Sequence, residues 1–241
     1  MTQSPAKPVK VEPDLSREAI LDGTFLKRVR AAFAEFERSD QVRTDAQIDA
    51  LAASAMVARP TTGDVWVFSY GSLMWNPTFR YVERRDAVLQ GWHRKFCLRS
   101  PIGRGTPENP CLMLGLEQGD RTCGVGFRLP VEEQATELGL VFRREMFGNA
   151  YIDRWVTIET DDGAHGAITF VANPEFEGYA GSMTNEEIAA AIVAAKGIAG
   201  TCVEYFSQTL DHLRDLKMED DGLESINHLI SGLLARQSAD K

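Results

Sequence analysis

The 241-residue chain has no apolar run long enough to cross a bilayer, and its first residues, MTQSPAKPVKVEPD, hold no stretch of signal-peptide length. A soluble cytoplasmic protein without a membrane partner is therefore expected. Cysteine is scarce: Cys97, Cys111, Cys123 and Cys202 are the only four. None forms a CxxC pair and none stands at metal-ligand spacing from a histidine, so neither a metal site nor a disulfide framework is expected. The four read as reduced, small apolar residues. No adjacent base makes any of them a nucleophile. An excess of positive charge is also missing. The formal net charge is −9, which argues against a nucleic-acid partner, because phosphate binding needs a cationic face. A local arginine cluster could still receive an anionic small molecule. Internal repeats are absent.

Apolar material is sufficient for a packed core: 44% of residues are hydrophobic and 25% charged. That length and composition suit one large or two small domains. Residues 1 to about 15 carry Pro5, Pro8 and Pro13 among charges and read as a tail. Ser16 then precedes REAILDGTFLKRVRAAFAEFERS, in which Ile20, Phe25, Val29, Phe33 and Phe36 recur at helical spacing, weakened at Gly23. A second helix is expected over DAQIDALAASAMVA, with Thr44 or Asp45 as its N-cap. These helices should pack on the outside of the main domain, and no chemistry is visible in them. Residues 1–60 are read as a tail and helical extension, and residues 61–241 as the main domain.

From Val65 the pattern changes to short strands. Val65–Ser69 is the first, and one or two follow within Arg80–Arg99. Pro110–Glu117 and Thr122–Leu129 are read as separate strands joined at Gly119-Asp120. Strands of this length between Gly-rich or Pro-rich turns suggest a small curved sheet or barrel. Pro130 opens a helix to about Phe147. Tyr151–Glu159 and Ala164–Val171 read as a hairpin turning at Asp161-Asp162-Gly163. Helices follow after Thr184, Thr201 and Ser225. The class is α+β, with sheet in the middle and helices at both ends.

Two features stand out. The stretch YGSLMWNP, Tyr70 to Pro77, leaves a buried strand yet spends Leu73, Met74 and Trp75 on a loop. The second is Glu145. Ala135, Leu138, Val141, Phe142 and Met146 fall on one face of the helix after Pro130, and Glu145 lies within that stripe. Arg143, Arg144, Glu132, Glu133 and Glu137 are expected on the opposite, solvated side. A carboxylate at a core position is costly unless paired, protonated or lining a cavity. The residues alone leave two readings open: a structural pair with a buried arginine, or a general acid–base in a cleft whose pKa burial raises.

YGSLMWNP, GWHRKFCLRS, RGTPENP, RREMFGNAY and TCVEYF occur in that order. Together they resemble the ChaC family of γ-glutamylcyclotransferases, over about Val65 to Leu234. The resemblance implies a γ-glutamylcyclotransferase fold, a small β-barrel with flanking helices and a pocket at one end. It implies cleavage of the γ-glutamyl amide of glutathione to 5-oxoproline and cysteinylglycine, with no metal and no organic cofactor. By position, the family's catalytic glutamate falls on Glu145. Its substrate-binding segment falls on Val67, Phe68, Ser69, Tyr70, Gly71, Ser72 and Leu73. The family often has Gly where this chain has Ser69, a departure that an extended serine tolerates.

In that reading the substrate's α-amine attacks its own γ-carbonyl, and one carboxylate serves as base and then acid. Backbone N–H groups from Tyr70 to Leu73 would receive the α-carboxylate. Tyr151 and Tyr205 are candidate hydrogen-bonding partners of the substrate. Arg99, or Arg104 on the same Gly/Pro-rich loop, is a candidate for the glycine carboxylate. His93 is read as structural, and His165, His212 and His228 show no partnership. Two alternatives stay open: cyclotransfer on other γ-glutamyl amides or dipeptides, and a non-catalytic γ-glutamyl-binding protein.

Overall fold

The computed structural model describes residues 15–60 and 62–239. The expected N-terminal tail therefore lies, apart from Leu15, outside the described residues. Ser16 caps a first short helix, α1 (Arg17–Leu21), by accepting from Ala19 N–H. Gly23, with φ of 77°, separates it from α2 (Thr24–Ala34). The sequence pattern ran through this point as one weakened helix. The left-handed glycine breaks it instead. Thr44 and Gln47 form a reciprocal capping box on α3 (Asp45–Val57).

Five strands close into a barrel in the order β1-β3-β2-β4-β5. They are β1 (Trp66–Ser69), β2 (Glu83–Ser100), β3 (Cys111–Arg128), β4 (Tyr151–Thr160) and β5 (Gly163–Ala172). Neighbours are antiparallel except at the seam, where β1 runs parallel to β5 with Trp66 opposite Ala167. The expected turn at Gly119-Asp120 is absent. Both residues lie inside the 18-residue β3, which pairs along the equally long β2. The ladder bends there: Gln90 faces Arg121 while Trp92 faces Gln118, and Gly91 between them has φ of 81°. A Cβ on Gly119 would lie 2.0 Å from His93 Nδ1. The glycine is thus required by the imidazole packed over it, and His93 is structural, as expected.

The hairpin of β4 and β5 turns where the sequence placed it, with Thr160 paired to Gly163. Between the two halves of the barrel runs α4 (Gln134–Glu145). A two-stranded ribbon, β6 (Lys196–Gly197) with β7 (Gly200–Thr201), was not anticipated. After it come α6 (Cys202–Asp215), capped by Thr201, and α7 (Asp221–Ala239). Before it, Thr184 caps α5 (Asn185–Ala194). Asp220 accepts from Leu223 N–H and starts α7 several residues ahead of the expected Ser225. Among the described residues no helix is long and apolar enough to cross a membrane.

The N-terminal helices pack on α4, and Ile20, Phe25, Leu26 and Ile48 belong to the same apolar core as the barrel. This contact corrects the expected exposure of Glu137. Its side chain is fully buried, gripped by the Arg17 guanidinium through Nη1 to Oε2 and, at 2.6 Å, Nη2 to Oε1. Arg80 N–H donates to the same carboxylate at 2.7 Å. Burial pushes the Glu137 pKa up, but these donors more than offset it and hold the group below its ordinary value. Folding stability from this depressed pKa is present above the unfolded-state value and is lost as pH falls through the folded one. Arg17→Met leaves the carboxylate buried without its cation. It is expected to cost about 3 kcal/mol in urea unfolding at neutral pH, and to shrink the loss of stability seen on acidification.

Candidate active site

The end of β1 opens into the stretch Tyr70–Pro77. Ser72–Met74 forms one turn of 3₁₀ helix, whose first internal bond runs from Met74 N–H to Gly71 O at 2.8 Å. The N–H groups of Gly71, Ser72 and Leu73 precede that ladder, so the turn itself does not consume them. Leu73 and Met74 are buried. Trp75 stacks on His212 of α6 with ring centroids 4.3 Å apart. The loop spends apolar residues because it is pinned inside the protein rather than across its surface. A Cβ on Gly71 would sit 3.3 Å from Leu114 Cδ2, a tight approach that would push that methyl aside by a few tenths of an ångström.

Two buried arginines hold the loop. Arg94, on β2, donates from Nε to Tyr70 O at 2.6 Å and from Nη2 to Cys123 O. Its Nη1 pairs with Asp220 at 3.1 Å. Arg144, on α4, donates from Nη1 to Asn76 O at 2.5 Å and Thr78 Oγ1 at 3.3 Å, and from Nη2 to Ser72 Oγ at 2.9 Å. Its Nε lies 3.2 Å from Glu145 Oε1. Arg144 was expected on the solvated face; its side chain is 4% exposed. The loop supplies enough oxygen acceptors to make that burial tolerable.

Glu145, the last residue of α4, comes out at a narrow cavity of about 40 Å³ under the loop. Phe68, Ser69, Tyr70, Gly71, Ser72 and Leu73 line it together with Glu145, Tyr151 and Tyr205. All of these are candidates already visible in the sequence. Leu114 of β3 and Phe170 of β5 complete the lining. They had escaped notice because only the strand order of the closed barrel brings them there. Val67 and Arg99, also named, do not line the cavity. Val67 is buried in the barrel wall. Arg99 directs its guanidinium to Met183 Sδ at 3.3 Å. Arg104 donates to Thr201 O at 3.2 Å and pairs with Glu204 at 3.4 Å, at the start of α6. A wider cleft of about 510 Å³ lies at the other end of the barrel, between Asp64, Glu83, Arg128 and the β4–β5 turn. None of the residues with a named role reaches it.

The electrostatics single out one group. Burial raises the Glu145 pKa above its ordinary value, and Arg144 partly opposes the shift. Burial also raises all three phenols, Tyr70, Tyr151 and Tyr205. They remain protonated at neutral pH and act as hydrogen-bonding groups: Tyr70 donates to Phe170 O and Tyr151 to Leu114 O, each at 2.7 Å. Glu145 is thus the one carboxylate among the lining residues, and its pKa is raised by burial. Ser69 adds a second polar feature. Its hydroxyl is buried and has no hydrogen-bond partner among the described residues. In a carboxyl-resolved NMR titration, Glu145 should ionise above the range of an exposed glutamate. Arg144→Met, which removes the adjacent cation, should move it further up. Ionisation at or below the ordinary value would contradict this electrostatic assignment.

The sequence profile of the ChaC-like protein family matches residues 65–233. The chain is 40% identical over 212 residues to the glutathione-specific γ-glutamylcyclotransferase of Escherichia coli, covering 88% of this chain and 91% of that protein. Against glutathione-specific γ-glutamylcyclotransferase 1 of mouse it is 30% identical over 189 residues, covering 73% of this chain and 85% of the relative. Among solved structures, a yeast γ-glutamyl cyclotransferase specific to glutathione superposes with a TM-score of 0.61 at 20% identity, covering 71% of this chain and 99% of the yeast chain. That likeness concerns the fold: a closed barrel with helices packed around it. With the barrel, the ordered motifs and the profile match over most of its length, the chain belongs to the ChaC family.

Proposed function

We propose that the protein is a glutathione-specific γ-glutamylcyclotransferase, releasing 5-oxoproline and cysteinylglycine. The observation that carries this reading is the meeting of Glu145 with the Phe68–Leu73 segment in one cavity. The bond that forms joins the substrate's α-nitrogen to its γ-carbonyl carbon. The bond that breaks is the amide to the cysteine nitrogen. Two protons leave the α-nitrogen, one before attack and one as the ring closes; Glu145 relays them in turn to the departing nitrogen, which leaves as an ammonium, so the carboxylate ends as it began and no water is consumed. The reaction is intramolecular, and holding the glutamyl chain folded supplies much of the acceleration.

The loop does the holding. N–H groups of Gly71, Ser72 and Leu73 receive the α-carboxylate, an arrangement of backbone donors that binds anions without a fixed cation. Ser69 supports the same reading. A buried hydroxyl without a partner costs about 1–3 kcal/mol, and an acceptor on the substrate would relieve that cost. The phenols of Tyr151 and Tyr205 each keep a lone pair for the ligand while their own protons stay in place. The cavity is narrow, so the γ-glutamyl head enters it as the lining side chains move apart, with the rest of the substrate across its mouth. The glycine carboxylate is then met outside it, and Arg99 and Arg104 remain the candidates.

Glu145→Gln should lower 5-oxoproline release from glutathione by at least ~10²-fold with an unchanged far-UV circular dichroism spectrum; full activity would remove Glu145 from the mechanism. Parallel assays with glutathione, γ-Glu-Ala and γ-glutamyl-lysine test the substrate. Preferred turnover of glutathione is expected. Preferred turnover of another amide would relocate the specificity, and turnover of none would favour a γ-glutamyl-binding protein.

A further inference from the structure

Two of the cavity groups, Glu145 and Tyr151, hang on one short turn. Glu145 ends α4 and Tyr151 begins β4, with residues 146–150 between them. A helix end of this kind leaves carbonyls without intrahelical partners, and here each carbonyl from Met146 to Ala150 has a partner of known origin. Met146 O accepts from Arg43 Nη1 at 2.9 Å, and Gly148 O accepts from the same nitrogen. Phe147 O accepts from the Arg43 backbone N–H at 2.7 Å. Asn173 takes the other two, donating from Nδ2 to Asn149 O at 2.8 Å and from its backbone N–H to Ala150 O at 2.9 Å. The Phe147 ring lies edge-on to Phe25 and Phe33 of α2, at 6.1 and 6.2 Å. Arg30 in turn donates to Arg43 O at 3.0 Å.

We propose that Arg43 is a positioning residue for catalysis: it clamps the first half of the 146–150 turn and so sets where Glu145 and Tyr151 stand in the cavity. The residue lies in the helical extension, ahead of the matched residues 65–233. The extension thereby acts on the site without touching substrate. A cation suits this place twice over, because the carbonyl end of a helix carries partial negative charge and the guanidinium can reach two acceptors at once. Without it, water must satisfy those carbonyls and the turn gains freedom. Small displacements of a catalytic group are costly, on the order of 10²-fold for an ångström. The inference rests on Glu145 as the proton-transferring group.

The test compares Arg43→Met with Thr44→Ala in steady-state turnover of glutathione, each below its own thermal transition, with Glu145→Gln alongside. Thr44→Ala removes the cap of α3 next door and loosens the extension while leaving the clamp in place. Arg43→Met should lower kcat by ~10- to 100-fold and change KM by less than about threefold, because the loop that holds the glutamyl head is untouched. Thr44→Ala should lower Tm and keep kcat. Wild-type kcat in folded Arg43→Met, or an equal loss of kcat in both variants, overturns the proposal and leaves a merely structural extension. If Arg43→Met does not fold, Arg43→Lys decides. Its shorter stem holds the two carbonyls less well, so kcat should fall about three- to tenfold, and an unchanged kcat overturns the clamp. Full activity in Glu145→Gln would instead sink the reading of the site itself, whatever Arg43 does.

Discussion

The site depends on a buried guanidinium. Arg144 sits almost out of solvent, one residue before Glu145, and its donors end on Ser72 Oγ, Asn76 O and Thr78 Oγ1. Taking a cation out of water costs several kcal/mol unless oxygen acceptors surround it, and the loop after β1 supplies these three beside Glu145 Oε1. That requirement fixes the loop against the end of α4. Arg94 fixes its other end through Tyr70 O and, through Asp220, ties it to the start of α7. The apolar residues between the two anchors then pack inward: Leu73 and Met74 are buried and Trp75 lies on His212. The loop's composition and its rigidity have the same cause.

The same guanidinium tunes the carboxylate beside it. Burial pushes the Glu145 pKa up. Arg144 draws it part of the way back, and the net shift stays upward. The proposed proton shuttle must accept and return a proton in one cycle, and a carboxylate pKa raised by burial favours that. The three surrounding phenols do not compete, since burial shifts them away from neutrality. One carboxylate in a shell of fixed hydrogen-bonding groups fits the proposed intramolecular aminolysis.

Glu145 was legible in the sequence because helical periodicity set a carboxylate within an apolar stripe. Arg144 and Glu137 were not, and the reason is geometric. A helical pattern assumes one buried face, whereas α4 is covered by the barrel and loop on one side and by the N-terminal helices on another. Glu137 meets Arg17 across 120 residues of sequence, and Arg144 meets Ser72 across 72. No local window contains either pair. The barrel was expected from strand texture, yet Gly119-Asp120 looked like a turn because the imidazole that demands Gly119 lies on another strand. Leu114 and Phe170 enter the cavity only through strand order, and Arg99 was named on charge and loop context, which do not report where a guanidinium points. Local chemistry was readable, while long-range partners required the fold.

The account joins two elements, a backbone cradle at Gly71–Leu73 and a carboxylate at Glu145, around one folded γ-glutamyl group. The crystal structure of Glu145→Gln with glutathione bound tests this union most directly. The account predicts the α-carboxylate on the N–H groups of Gly71, Ser72 and Leu73, with the α-amine within ~3 Å of the side chain at position 145. A glutamyl head bound elsewhere, or an α-amine turned away from that side chain, would contradict it.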